Sequence, residues 1–126
     1  MSKSEVFYTP ENNEYFFDEG CFILEMMNTD LDPDVSIARA RVEVGKTTRF
    51  HRLKGVSERY VILKGSGLVY VGDEPVQTVQ EGSVVLIPAG ERQKIYNSGN
   101  EVLVFLAICS PRFTPDCYED CEPLVN

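Results

Sequence analysis

Short stretches of alternating apolar and polar residues, separated by glycine-containing turns, make up most of this chain. The segment VSIARARVEVG, at 35–45, alternates small or apolar residues with charged ones, which is the period-2 pattern of a half-buried β-strand. Turn sequences at 65–67, 72–75, 88–90 and 97–100 separate several of the runs that follow. Helical periodicity is absent before residue 110. Many short strands at regular spacing predict a closed or sandwiched all-β domain.

Size and charge narrow the classes of function. The 126 residues fit one domain with a real core. A net charge of −8 disfavours nucleic acid and anionic membranes as partners, because both require a basic face. No apolar run approaches the ~20 residues of a membrane span, and the first residues do not resemble a signal peptide. We therefore expect a cytoplasmic protein.

Four cysteines, at positions 21, 109, 117 and 121, are expected to be reduced in that compartment. Cys117 and Cys121 form a CxxxC pair, which has two interpretations. They are either a redox or metal pair, or neighbours on one turn that pack against the barrel. Cys109 lies in an apolar run and is interpreted as a small buried hydrophobe.

The single histidine, His51, lies in a segment that reads as β-structure, seven residues before Glu58. If a short turn separates these two residues, they face each other across adjacent strands. Successive strand residues point to opposite sides, so the same wall carries alternate residues of three strands. The predicted pocket wall consists of Arg49, His51, Leu53, Glu58, Tyr60, Ile62, Gln93 and Ile95. An apolar surface with a few convergent polar groups is typical of a small-molecule pocket.

The opposite face of these strands is also apolar. It carries Phe50, Val61 and Leu63, and the aromatic-rich N-terminal arm, residues 1–20, adds further apolar surface. One small barrel does not readily bury all of it, and two-fold dimers are the commonest soluble assembly. We therefore predict a homodimer joined through an outer sheet face and the arm.

Two spaced motifs resemble those of the cupin family. The first has the spacing of Gly45, His51, Leu53, Glu58 and Gly65, and the second that of Gly82, Pro88, Gly90, Gln93 and Asn97. The resemblance implies a double-stranded β-helix barrel of the jelly-roll type. It implies one domain over residues 1–126, with a barrel core at about 35–110, the arm, and a C-terminal extension over 111–126 that holds one short helical turn.

The departures from the family pattern concern its metal ligands. Cupins commonly present three histidines and a glutamate, and this chain has leucine at position 53 and glutamine at position 93. The implied metal set is therefore His51, Glu58 and Gln93, for one divalent transition metal ion such as Zn, Ni, Fe or Mn. Two alternatives need no metal. In one, His51 and Glu58 form an acid/base or recognition pair; in the other, these residues are only satisfied polar groups.

The variant resembles a branch of short, single-domain cupins that read H-x-L, E-R-Y, I-P-A-G-x-x-Q and P-R-F, here HRL, ERY, IPAGERQ and SPRF. The resemblance to this branch fixes no activity. The predicted pocket wall and the cupin fold together indicate an unidentified small-molecule ligand and leave two functions open: a metal-dependent enzyme of the dioxygenase, isomerase or lyase kind, and a non-catalytic ligand-binding or sensory module. The resemblance names no catalytic residue.

Overall fold

The computed structural model describes residues 4–122. Apart from two 3-10 turns, at Glu11–Asn13 and Pro115–Cys117, its regular structure in this range is entirely β. The strands are β1 (Tyr15–Phe17), β2 (Cys21–Met27), β3 (Ser36–Val42), β4 (His51–Leu53), β5 (Ser57–Lys64), β6 (Ser66–Val71), β7 (Gln77–Gln80), β8 (Val84–Ile87), β9 (Gln93–Tyr96), β10 (Leu103–Ser110) and β11 (Tyr118–Asp120). The all-β prediction is confirmed.

The strands form two antiparallel sheets. One sheet has six strands in the order β1-β2-β3-β10-β5-β8, and the other has five in the order β11-β4-β9-β6-β7. Consecutive strands β4 and β5 lie in different sheets, so the chain crosses from one wall to the other between residues 53 and 57. This crossing decides where the side chains of the two strands meet.

The core lies between the sheets and follows from the alternation along the strands. Val42, Ile62, Ile95 and Leu103 are fully buried or nearly so, and each is an inward residue of its strand. Gly65 ends β5 with φ of +87°, a conformation that L side chains rarely adopt, and a Cβ there would lie 2.8 Å from the carbonyl oxygen of Val102. The turn therefore requires glycine.

The N-terminal arm packs against its own barrel. β1 pairs with β2 at the edge of the six-stranded sheet. Glu14 forms ion pairs with both Arg39 and Arg41 of β3, and Glu11 pairs with Arg39 at 2.6 Å. These contacts hold the arm on the same chain, and the homodimer stays a prediction.

The C-terminal extension adds an edge strand to the five-stranded sheet. The short helical turn expected there is the 3-10 turn, and β11 then pairs with β4, opposing Tyr118 to Leu53. Cys117 is buried and Cys121 half-buried, and all four cysteines are free thiols. No helix within residues 4–122 is long and apolar enough to cross a membrane.

Candidate functional site

A cavity of about 270 Å³ lies between the two sheets. Its floor is made of small side chains on β3 and β10, where Ala38 opposes Ala107 and Ala40 opposes Phe105 in the strand register. Because an alanine pair fills little of the space between two sheets, a hollow remains where larger residues would have made core.

Aromatic and acidic side chains form much of the remaining lining. Six aromatic residues contribute, namely Tyr15, Phe17, Tyr60, Phe105, Phe113 and Tyr118. Three carboxyl groups, from Glu19, Glu25 and Glu58, share the wall with one imidazole, from His51. The cavity is thus an apolar space with a few polar groups.

Four of the eight predicted pocket residues line this cavity: His51, Leu53, Glu58 and Tyr60. The other four do not. Ile62 and Ile95 are fully buried in the core beneath it. Arg49 precedes β4, so it does not share the inward face of His51; its side chain is 46% exposed and pairs with Asp120 at 3.0 Å. Arg49, which we placed on the pocket wall, is therefore on the surface.

Gln93, the fourth of these residues, is buried beside the cavity. It opposes His51 in the pairing of β4 with β9. The Tyr60 hydroxyl donates a hydrogen bond to its Oε1. Gln93 therefore fixes the orientation of Tyr60, and the oxygen that was expected to ligate a metal already accepts a hydrogen bond.

His51 is held on both ring nitrogens. Nδ1 lies 2.7 Å from the carbonyl oxygen of Arg49, and Nε2 lies 2.7 Å from Oε1 of Glu19. Both partners are acceptors, so an imidazolium, which donates from both nitrogens, satisfies the arrangement best. The ring also stacks on Tyr118, with centroids 5.1 Å apart and planes 17° apart.

The pKa of His51 reflects the same contacts. Burial opposes the charged form and by itself lowers the pKa, but the charge and hydrogen bond of Glu19 raise it, with help from the Arg49 carbonyl and Glu58. The net pKa is above the ordinary value of 6.5. His51 and Glu19 thus form a buried pair in which the two charges balance.

Glu58 lies on the opposite wall from His51. We expected the two residues to face each other across adjacent strands, but β4 and β5 belong to different sheets, and the carboxylate that His51 contacts is Glu19. Glu58 is only 7% exposed, and its Oε2 accepts a weak hydrogen bond from the Cys109 thiol at 3.7 Å. Its Oε1 is buried with no hydrogen-bond partner among the residues that the structure describes.

Burial is the main cause that raises the pKa of Glu58, to about 7. The nearby charge of Glu19 raises it further, and His51, Gln93 and Cys109 offset part of the rise. Glu58 is thus a carboxyl group that exchanges its proton near neutral pH, with one oxygen unsatisfied at the wall of a cavity.

Glu19 is the functional residue that the sequence reasoning missed. It lies in the tight turn between β1 and β2, where the Gly20 amide donates to the Phe17 carbonyl and Gly20 has φ of +106°. The Arg49 amide donates to the backbone oxygen of Glu19 at 2.6 Å, and the Cys21 thiol donates to its Oε2 at 3.2 Å. The only signal was an acidic residue followed by glycine just before an apolar strand, in a segment interpreted as an arm.

A family model described as a cupin domain matches residues 38–109. The protein belongs to the cupin family. The chain is 35% identical over 112 residues to the uncharacterized protein MJ1618 of Methanocaldococcus jannaschii, covering 87% of this chain and 86% of that one. It is 34% identical over 71 residues to the oxalate-binding protein of Thermotoga maritima, covering 56% and 58%.

Solved structures share the fold of this cupin at low identity. Pac13, described as a unique nucleoside dehydratase, superposes with a TM-score of 0.76 at 15% identity, covering 96% of this chain and 95% of that chain. Variants of the same Streptomyces protein are known with uridine. Together with the two-sheet architecture, this likeness confirms the jelly-roll prediction.

Cupins commonly bind a metal ion, and the contacts of the three expected ligands show whether they are free to bind one here. Both nitrogens of His51 are engaged, and Oε1 of Gln93 accepts from Tyr60. Of the three expected ligands, Glu58 alone lines the cavity with an oxygen that has no hydrogen-bond partner among the described residues. Over residues 4–122, no three His, Cys, Asp or Glu side chains are placed to hold a metal together. The residues as arranged do not fit a metal.

Proposed function

We propose that this cupin binds a small molecule in the cavity and moves protons on it without a metal, as a lyase or an isomerase. The observation that carries the proposal is Glu58, a buried carboxyl group with one unpartnered oxygen at the cavity wall and a pKa of about 7. Such a group exists in both protonation forms at neutral pH. It can therefore accept a proton from a ligand and return it to another position.

The pair of His51 and Glu19 supports this role electrostatically. A fixed imidazolium stabilises negative charge that develops on a bound ligand, and it favours the ionised form of Glu58. Both of its N–H groups are already engaged, so His51 acts as an oriented charge and Glu58 as the group that transfers the proton.

The comparisons are consistent with this class of chemistry. A dehydratase is a lyase, and Pac13 shows that the same fold can house one, although at 15% identity no residue role transfers. The second candidate function is binding without catalysis. It is favoured by the apolar floor of the cavity and by the partial similarity to a protein described as oxalate-binding.

Deuterium incorporation tests the proposal while the substrate is still unidentified. Chelator-treated protein is incubated in D₂O with a defined mixture of small metabolites, and mass spectrometry follows the mass of each compound. We expect at least one compound to gain deuterium or change mass with the wild type and not with Glu58→Gln. The matched control is Glu81→Gln, which removes the same charge from an exposed position.

Two outcomes contradict the proposal of a metal-free enzyme. Turnover that appears only after a transition metal is added would show that the site works with a metal. A compound that binds in the cavity, yet gains no deuterium and undergoes no change of mass, would support the non-catalytic alternative.

A further inference from the structure

Most of the ionisable groups on the cavity wall are acidic. Three carboxyl groups face one imidazole, and that imidazole is already paired with Glu19. Among the described residues that line the cavity, none is Arg or Lys. The remaining carboxyl groups of this lining, Glu25 and Glu58, therefore have no cationic partner among those residues. Burial is the main cause that raises the pKa of both above the ordinary value.

An anionic ligand is unsuited to this wall. It would lose its hydration on entry and meet carboxyl groups with no free cation to replace the lost water. Arg49, the one nearby guanidinium that sequence reasoning placed here, is on the surface with Asp120. At a pH above the pKa of Glu58, the wall therefore disfavours carboxylates and phosphates, in contrast to what an oxalate-binding relative would suggest.

Two independent features suit a cation. The Glu58 side chain is 93% buried, since its exposure is 7%; the residue lines the cavity, and its Oε1 has no hydrogen-bond partner among the described residues. A buried acceptor with no partner is costly, and a ligand N–H or O–H removes that cost. Six aromatic residues also line the cavity, and the π faces of aromatic rings attract organic ammonium groups; one face of Tyr118 is already stacked on His51.

We propose that the ligand of this cavity is a small organic cation, a protonated amine whose ammonium donates to Oε1 of Glu58 and whose carbon skeleton lies against the aromatic rings. The inference rests on the proposed function only in taking this cavity as the ligand site. A volume of about 270 Å³ lies at the lower limit of ligand pockets, typically about 300–1,000 Å³, so the amine is small rather than nucleotide-sized.

Three probes of nearly equal shape separate charge from size: benzylamine, benzyl alcohol and benzoate. Each is titrated into chelator-treated protein by isothermal calorimetry at pH 8. We expect benzylamine to bind at least about tenfold more tightly than benzyl alcohol, because a hydrogen bond between two charged groups is stronger than one between neutral groups. Benzoate is expected to give no binding.

Two variants test whether Glu58 causes the preference for the amine. In Glu58→Gln the preference for the amine over the alcohol is expected to fall to about one, since the amide shape is retained and the negative charge is lost. Glu81→Gln is the control and is expected to keep the wild-type preference. Near pH 7, amine binding should also release protons, measured as a dependence of the binding heat on the ionisation heat of the buffer, because a cation drives Glu58 to its ionised form.

Several results overturn the inference. These are benzoate or oxalate binding as tightly as benzylamine, an amine preference that survives in Glu58→Gln, no binding by any of the three probes at millimolar concentration, or stoichiometric Mn²⁺ or Zn²⁺ binding that displaces the amine. Failure of the proposed function is a separate result: amine binding without solvent deuterium exchange removes the enzyme and leaves the ligand class standing.

Discussion

Replacing Glu58 by glutamine should stabilise the protein at alkaline pH. The pKa of Glu58 rises from an ordinary 4.5 to about 7 in the fold. At about 1.4 kcal/mol per pKa unit, this difference corresponds to roughly 3 kcal/mol of destabilisation whenever the group is ionised. Glutamine has nearly the same shape and carries no charge, so it removes that cost while it keeps the packing.

The direction in which stability changes with pH follows from the protons that the folded and unfolded states bind. Between pH 4.5 and about 7 the folded state holds a proton on Glu58 that the unfolded state has lost, so wild-type stability falls as the pH rises through this window and levels off above it. His51 also lowers wild-type stability as the pH rises, because its pKa is raised in the folded state. The stabilisation that His51 contributes is complete below pH 6.5 and is lost as the pH passes its folded pKa. The variant must therefore be compared with the wild type at equal pH.

Urea denaturation at pH 4.5 and pH 8 measures the effect. We expect Glu58→Gln to exceed the wild type by about 3 kcal/mol at pH 8 and by less than about 1 kcal/mol at pH 4.5. Glu81→Gln, on the exposed surface, should change stability by less than about 0.5 kcal/mol at either pH. A Glu58→Gln protein that is less stable than the wild type at pH 8, or whose difference does not depend on pH, would refute the reasoning.

Three further expectations concern the cavity, the core and the assembly. Ala107→Leu places an isobutyl group on the cavity floor and should weaken benzylamine binding at least about tenfold. Calorimetry measures this affinity, and an unchanged value would contradict the prediction. Asn97 is fully buried and donates to the carbonyls of Val42 and Glu101, so Asn97→Ala should lose about 3 kcal/mol by urea denaturation; a loss below about 1 kcal/mol would contradict this. Light scattering coupled to size exclusion should give the mass of a dimer, and a clean monomer at micromolar concentration would rule that out.

The fold was predictable because its signals are local. Period-2 alternation in β3 and the glycine turns depend on neighbouring residues only, and the two spaced motifs lie within the segment, 38–109, that the cupin family model matches. The extent of β4 was less predictable. The predicted pocket wall extended the strand back to Arg49, but the strand covers only His51–Leu53, and the Arg49 side chain lies on the surface.

The site was predictable only in part, because its geometry depends on contacts between distant segments. The alternation of residues along the strands correctly predicted that His51 and Glu58 point inward, since each is buried. It could not show that β4 and β5 belong to different sheets, nor that a turn at Glu19 would reach Nε2 of His51. A contact between residues 19 and 51 leaves no periodic trace in the sequence.

The position of Glu19 has a consequence for comparing cupins by sequence. The residue lies before the span of 38–109 that defines family membership, yet it sets the protonation state of the only histidine. Two chains with the same barrel motifs can therefore differ in reactivity because of a single hairpin outside them. Grouping relatives by the residue that occupies this hairpin would sort them by chemistry, whereas grouping them by the barrel sorts them only by ancestry.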